Sequence, residues 1–182
     1  MRAKRIVYLL IAILSLQACT SESLRLTYSN QDSKIDTYVQ SQLSSNPDMR
    51  AEYYDGIVRL VIAEGEGEAL ESDGAVAFLY AGYDFSSSSM SGSSLFATNN
   101  EEVASAAGWA TTDESLYGVT IVDLSTTQLI EGLQKGLVGV KGGEECVILF
   151  SGEHAFGKKG LGTIPANAPL AYHFWISEIE NK

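Results

Sequence analysis

After residue 50, one stretch of any length carries a helical period. It is TTQLIEGLQKGLVGV, where Leu129, Ile130, Leu133 and Leu137 fall on one face behind a capping Thr126 or Thr127. Around it the chain is a series of short apolar segments separated by turn residues. GIVRLVIAEG alternates and is rich in β-branched residues. AVAFLYAGYDF, GVTIVDL and EECVILF follow, and LAYHFWISEI comes last. NNEEVASAAGW adds a short helix with Asn100 as its N-cap and acids in its first turn. Five or so strands crossed by one main helix predict an α+β domain with an antiparallel sheet. The serine- and glycine-rich stretch 86–94 reads as an insertion loop, because apolar strands continue on both sides of it.

The N-terminus addresses location. MRAKR is basic, IVYLLIAILSL is apolar but short for a bilayer span, and Leu16-Gln17-Ala18-Cys19 follows. The order resembles a bacterial lipobox, in which a signal peptide (1–18) is removed and Cys19 is lipidated. An ordinary signal peptide or a short membrane anchor is the plainer alternative. Acyl chains contribute about 0.8 kcal/mol per buried methylene, so several would hold the chain on a membrane. The expected location is the bacterial cell envelope, periplasmic or on the outer surface. Residues 19–50 divide into a polar tether over 20–31 and a short amphipathic helix bearing Ile35, Tyr38, Val39 and Leu43, which Pro47 ends. That helix is expected to pack on the domain, with dimerisation as the alternative.

The formal net charge is −11, and removal of residues 1–18 leaves 9 basic against 23 acidic residues, a net of −14. Such a chain does not attract phosphate backbones, so nucleic acid is not an expected partner. His154 and His173 have no second ligand at a metal spacing, and C-x-x-C, H-E-x-x-H, G-x-S-x-G and phosphate-loop motifs are absent. Cys146 sits in an apolar strand and reads as an inert core thiol. No metal or cofactor is expected. Any chemistry would proceed without a nucleophile or a titrating pair.

The segment LIEGLQKGLVGVKGGEECVILFSGEHAFGKKGLGTIPANAPLAYHFWISEI resembles the second half of an FKBP-type peptidyl-prolyl isomerase domain. That family's pattern is V-I-x-G-W-x-x-G-L, a strand, P-x-x-x-A-Y-G, and I-P-P-N-A-x-L-x-F. Its correspondents here are Leu129-Ile130-Glu131-Gly132-Leu133, Gly136-Leu137, Ala155-Phe156-Gly157 and Ile164-Pro165-Ala166-Asn167-Ala168. The first half agrees more loosely, through AVAFLYAGY and Leu95-Phe96. The resemblance covers 51–182 in the main, with an enlarged insertion around 83–116.

The resemblance implies a twisted antiparallel sheet wrapping a short helix, with an aromatic pocket between them. It implies isomerisation of X–Pro bonds in proline-containing polypeptides, by a monomer and without cofactor. Carried over, the catalytic positions are Tyr80, Phe96, Ile130, Phe156 and Tyr172, with Leu129, Leu133, Leu161 and Ile164 contacting substrate. The backbone N–H of Ile130 is an implied donor. Phe78, Phe150, Phe174 and Trp175 are read as packing, and Trp109 as packing or pocket rim. Three departures stand out: Ala97 for the pattern's Asp, Leu133 for its Trp, and Phe156 for its Tyr. They keep open a second reading, a weakly active or inactive proline-peptide binding module or holdase. An interaction protein using the insertion is a third.

Overall fold

The computed structural model describes residues 2–182, with side chains from Ser21 onward. Among the described residues nine strands form: β1 (Arg50–Tyr54), β2 (Ile57–Ala63), β3 (Glu66–Ala69), β4 (Ala75–Asp84), β5 (Leu95–Thr98), β6 (Thr120–Asp123), β7 (Lys141–Gly142), β8 (Glu145–Phe150) and β9 (Leu170–Glu180). Seven make one antiparallel sheet in the order β1-β2-β8-β9-β4-β5, with β6 on the same edge of β4 as β5. β3 and β7 form a separate ribbon. The expected α+β architecture holds, with more strands than the five read from sequence. The four missed strands are short: β5 lies inside the insertion, and β3, β7 and β1 have weak apolar character.

The central strands are apolar on both faces. In β8, Cys146, Ile148 and Phe150 point to one side while Val147 and Leu149 point to the other. In β9, Leu170, Tyr172, Phe174 and Ile176 share the first face, and Ala171 the second. A sheet of this kind needs a cover on each side. The concave cover is helix α3 (Glu131–Gly136). The convex cover is helix α1 (Arg2–Ser45), which sets Ile35 and Val39 against Val58, Leu60, Val147 and Leu149. The predicted apolar face of this segment therefore packs on the domain. The tether expected over 20–31 is not one, because the helix continues through it and Tyr28 is buried. Its serines and threonine mask the helix in the sequence, yet Thr27, Ser33 and Thr37 each return a hydroxyl bond to the carbonyl four residues back.

α3 starts about one turn later than the sequence periodicity suggested. Thr126 and Thr127 cap nothing. Their N–H groups, with that of Ser125, go to Asp123, which closes a turn after β6. Ile130 takes the N-cap position and its carbonyl accepts from Leu133 and Gln134. Gly132 and Gly136 let the helix lie directly on β8. A Cβ at either would come within 2.4 Å of Phe150 or Ile148. Each glycine costs about 1 kcal/mol of helix propensity, and the close seat on the sheet offsets it. At the other terminus of the domain's short helices, α2 (Glu101–Ala106) starts on Asn100, whose side chain accepts from Glu102 and Val103 as the sequence predicted.

Among the described residues two charged side chains are buried, Arg59 and Glu144. Arg59 of β2 donates to the carbonyls of Gly136 and Val138 at 3.2 and 2.8 Å, securing the end of α3. It also bonds Glu52 and Tyr54, and its Nε lies 3.6 Å from the buried Glu144 carboxylate. Burial pushes the Glu144 carboxyl up, and Arg59 holds it partly down. Removing one partner of such a pair strands the other charge, at a cost of about 3–5 kcal/mol. Arg59→Met is therefore expected to lose stability in that range by urea denaturation. Adding Glu144→Met should recover a large part of it. Equal stability of Arg59→Met and the parent would show that the pair does not hold the helix end.

Candidate functional site

Between α3 and the concave face lies an apolar hollow of about 240 Å³. Its aromatic wall comes from β4 and β9: Phe78 and Tyr80 on one, Tyr172 and Phe174 on the other. Period two puts each pair on the same face, and the β4–β9 register brings the pairs together. Leu129, Leu133 and Leu137 line it from the α3 side, and Thr120, Val122 and Ala97 from the edge strands β6 and β5.

The rings form one connected set with Tyr172 at its centre. Tyr172 stacks on Phe174 at 6.1 Å and on Phe150 at 6.2 Å, and it meets Phe96 edge-on at 5.6 Å. Tyr80 lies 6.3 Å from Tyr172, and Phe78 meets Phe174 edge-on at 5.0 Å. Gly82 makes room here, since a Cβ there would come within 2.9 Å of both Phe96 and Tyr172.

Behind the wall, Asn99 fills the edge of β4 where β5 ends and β6 has not begun. Its Oδ1 accepts from the Tyr80 N–H at 2.6 Å, and its Nδ2 donates to the Phe78 carbonyl at 3.1 Å and Thr120 Oγ1 at 3.0 Å. A buried amide with each of these bonds made stabilises the gap that would otherwise leave β4 unpaired. This role is not legible in the sequence, because Asn99 sits next to an N-cap asparagine in an ordinary turn composition.

Among the described residues no carboxylate, amine, guanidinium or imidazole lines the hollow. No three His, Cys, Asp or Glu side chains among them converge to hold a metal ion. The polar atoms facing it are Thr120 Oγ1 and two phenols. Burial raises the Tyr80 phenol, and burial followed by the neighbouring Tyr80 raises that of Tyr172. Both stay protonated at neutral pH and are hydrogen-bond donors. Cys146 is buried and its thiol is pushed up by desolvation, the inert state expected of it.

The structure sorts the sequence candidates into groups. Tyr80, Leu129, Leu133 and Tyr172 line the hollow. Phe96 and Ile164 pack against the same core but line an adjoining, serine-bordered hollow beside Ser86, Ser87 and Ser94. Ile130 and Phe156 pack on the core without lining the aromatic hollow. The Ile130 N–H donates to no backbone acceptor among the described residues. Leu161 is 57% exposed and pairs with Ile164 across a one-bridge turn, outside both walls. Trp109 is exposed and lies off the wall as well. Phe78 and Phe174, read from sequence as packing, do pack, but they also line the hollow. Alternation along AVAFLY and AYHF, taken from Tyr80 and Tyr172, is the signal that places them there. The side chain of Cys19 lies outside the described residues.

Four similarities to known proteins bear on this arrangement. A family model described as FKBP-type peptidyl-prolyl cis-trans isomerase matches residues 113–175. FkpA from Escherichia coli is similar over 94% of this chain and 70% of its own, at 18% identity and a TM-score of 0.56. A peptidyl-prolyl cis-trans isomerase from Pseudomonas syringae is similar over 84% of this chain and 96% of its own, at 16% identity and a TM-score of 0.56. The N-terminal domain of FKBP42 from Arabidopsis thaliana covers 74% of this chain and 94% of its own, at 19% identity and a TM-score of 0.53. The family match includes α3, β8 and Tyr172. It leaves out Tyr80 and Phe96, which the fold brings to the same place.

The Tyr172 phenol gives a pH dependence with a definite sign. Its unfolded value is near the ordinary 10.0 and its folded value is higher. Stability from this group is full below 10.0 and falls as pH climbs from there toward the folded value. Urea midpoints are therefore expected to drop as pH rises above about 10. Tyr172→Phe should flatten part of that drop, leaving the share due to Tyr38, Tyr80 and Tyr83, whose phenols burial also raises. An unchanged slope in the variant would mean that Tyr172 is not desolvated.

Proposed function

Because the folded domain is of the FKBP type, we propose that this protein is a peptidyl-prolyl cis-trans isomerase acting through the hollow under α3. It assists the folding of proline-containing polypeptides in the cell envelope, where lipidated Cys19 holds it to a membrane. The observation that carries the catalytic reading is the aromatic hollow itself, with its two free phenols and no ionised lining group.

The reaction suits such a site. Rotation about a peptide bond is opposed by about 18–20 kcal/mol of lost amide resonance. Both X–Pro isomers are populated, and exchange takes roughly tens to hundreds of seconds. The twisted amide carries less charge separation than the planar one. A water-poor wall of Phe78, Phe174 and Leu133 therefore favours the twisted form over the planar one. A prolyl ring fits among these side chains. The Tyr172 and Tyr80 hydroxyls and the Ile130 N–H offer donors to the flanking carbonyls and fix the substrate's orientation. No proton is transferred and no bond is broken, so the lack of an acid–base pair in the wall is consistent with the reaction.

The wall also supports a weaker activity. Ala97 lines the hollow where the family pattern has Asp, and Leu133 stands in place of its Trp. Each missing hydrogen bond is worth about 0.5–1.5 kcal/mol, or a severalfold to tenfold loss of rate. A proline-peptide binding module or holdase is the second reading, and Ala97 is the residue that favours it.

A protease-coupled assay on Leu-Pro and Phe-Pro peptides separates the two. Turnover above the uncatalysed rate is expected, and its absence alongside retained binding of unfolded protein would transfer the case to the holdase. Ala97→Asp combined with Phe156→Tyr is expected to raise kcat/KM severalfold or more. No change would remove those two positions from the site.

A further inference from the structure

The chain between β8 and β9 carries Phe156, Leu161 and Ile164 past the two hollows with little regular structure of its own. Its two ends meet. A Cβ on Gly152 would come within 2.3 Å of the Asn167 carbonyl oxygen, and Gly157 bridges them, donating to the Gly152 carbonyl at 3.0 Å while accepting from the Asn167 N–H at 2.6 Å. Asn167 is held at a φ of +59°, a left-handed conformation that asparagine tolerates but that needs support.

That support comes from the opposite end of the sequence. Gln31 of α1 uses both ends of its amide. Its Nε2 donates to the Asn167 carbonyl at 2.8 Å, and its Oε1 accepts from the Gly152 N–H at 2.9 Å. One turn earlier, the Tyr28 hydroxyl donates to Asn167 Oδ1 at 2.8 Å. Three bonds thus run from one helix to both ends of one loop. Ile35 and Val39, farther along α1, hold the helix on the sheet by apolar contact alone. Covering the sheet and gripping the loop are therefore separate jobs, done by different turns of one helix.

We propose that Gln31 and Tyr28 are positioning residues: they clamp the 152–167 loop from α1, and so set where Phe156 and Ile164 stand beside the substrate hollow. Without the clamp, the loop keeps its own Gly152, Gly157 and Asn167 bonds, the Leu161–Ile164 bridge and the Gly132 N–H bond to the His154 carbonyl, but loses the bonds that tie both its ends to α1. It then samples more open shapes, and the adjoining hollow widens. The effect on turnover rests on the isomerase reading above; the effect on the loop does not.

The test uses the full chain and two readouts. Amide hydrogen exchange is followed over 153–166 and over β8 and β9, and kcat and KM are measured with Phe-Pro peptides. In Gln31→Ala, exchange over 153–166 is expected to rise roughly tenfold or more while the β8 and β9 amides keep their protection. KM should rise severalfold, with kcat changing much less. Tyr28→Phe, which deletes one hydroxyl, should give a smaller rise centred on 164–167. Val39→Ala should lower the denaturation midpoint without loosening the loop selectively. Unchanged exchange over 153–166 in Gln31→Ala would overturn the proposal. So would a general loss of protection that Val39→Ala reproduces. If Gln31→Ala does not fold, Tyr28→Phe decides by the same criterion. If the parent protein shows no turnover, the isomerase reading fails alone, and the exchange data still decide for or against the clamp.

Discussion

The central strands of this domain bury side chains on both faces, and the rest of the molecule follows from that. Cys146, Ile148 and Phe150 need one cover, and Val147 and Leu149 need another. A six-residue helix on the concave side is too small to fill the space under a twisted sheet. The unfilled remainder is the hollow. The convex side takes a long helix from the N-terminus, and the hollow of about 290 Å³ left beside it is bordered mainly by polar side chains, Thr27, Gln31, Lys34 and Ser86 among them. What sets the concave hollow apart is its lining of rings and leucines.

The buried Arg59 belongs to the same logic. A short helix offers few bonds with which to hold its own end, and its last carbonyls need donors. Arg59 supplies them from the sheet below, and Glu144, Glu52 and Tyr54 share its charge. The helix is thus fixed at its start by the Gly132 N–H bond to the His154 carbonyl and at its end by a guanidinium. Hydrophobic contact from Leu133 and Leu137 fills the span between.

The strands, the concave face and the apolar face of the 35–43 segment were legible because their periodicities are strong. Leu129, Leu133 and Tyr172 follow from a motif whose spacing is kept over about 50 residues and Tyr80 from the looser match of AVAFLYAGY, and the fold brings the four together. What escaped was of a different kind. Serine-rich 20–31 looked like a tether because its helix is stabilised by contacts with residues some 120–140 positions away, at Gly152 and Asn167. The start of α3 is displaced because Thr126 and Thr127 belong to the turn that Asp123 closes, and Ile130 takes the N-cap position. Phe78 and Phe174 were assigned to packing because a ring in a strand is usually that. They are packing and wall at once, a distinction that only three-dimensional neighbours can draw.

The contact of Gly132 and Gly136 with β8 has a bearing on how such a cavity can change. The depth of the helix is set by backbone against ring and methyl group, so it has no slack in that direction. The dimensions of the chamber are then governed by what projects from Leu129, Leu133 and Leu137, like tiles on a floor whose level is given. Exchanging those tiles alters capacity and shape while the surrounding masonry stays put. Divergence in ligand preference within this architecture can therefore proceed one side chain at a time, without refitting the sheet.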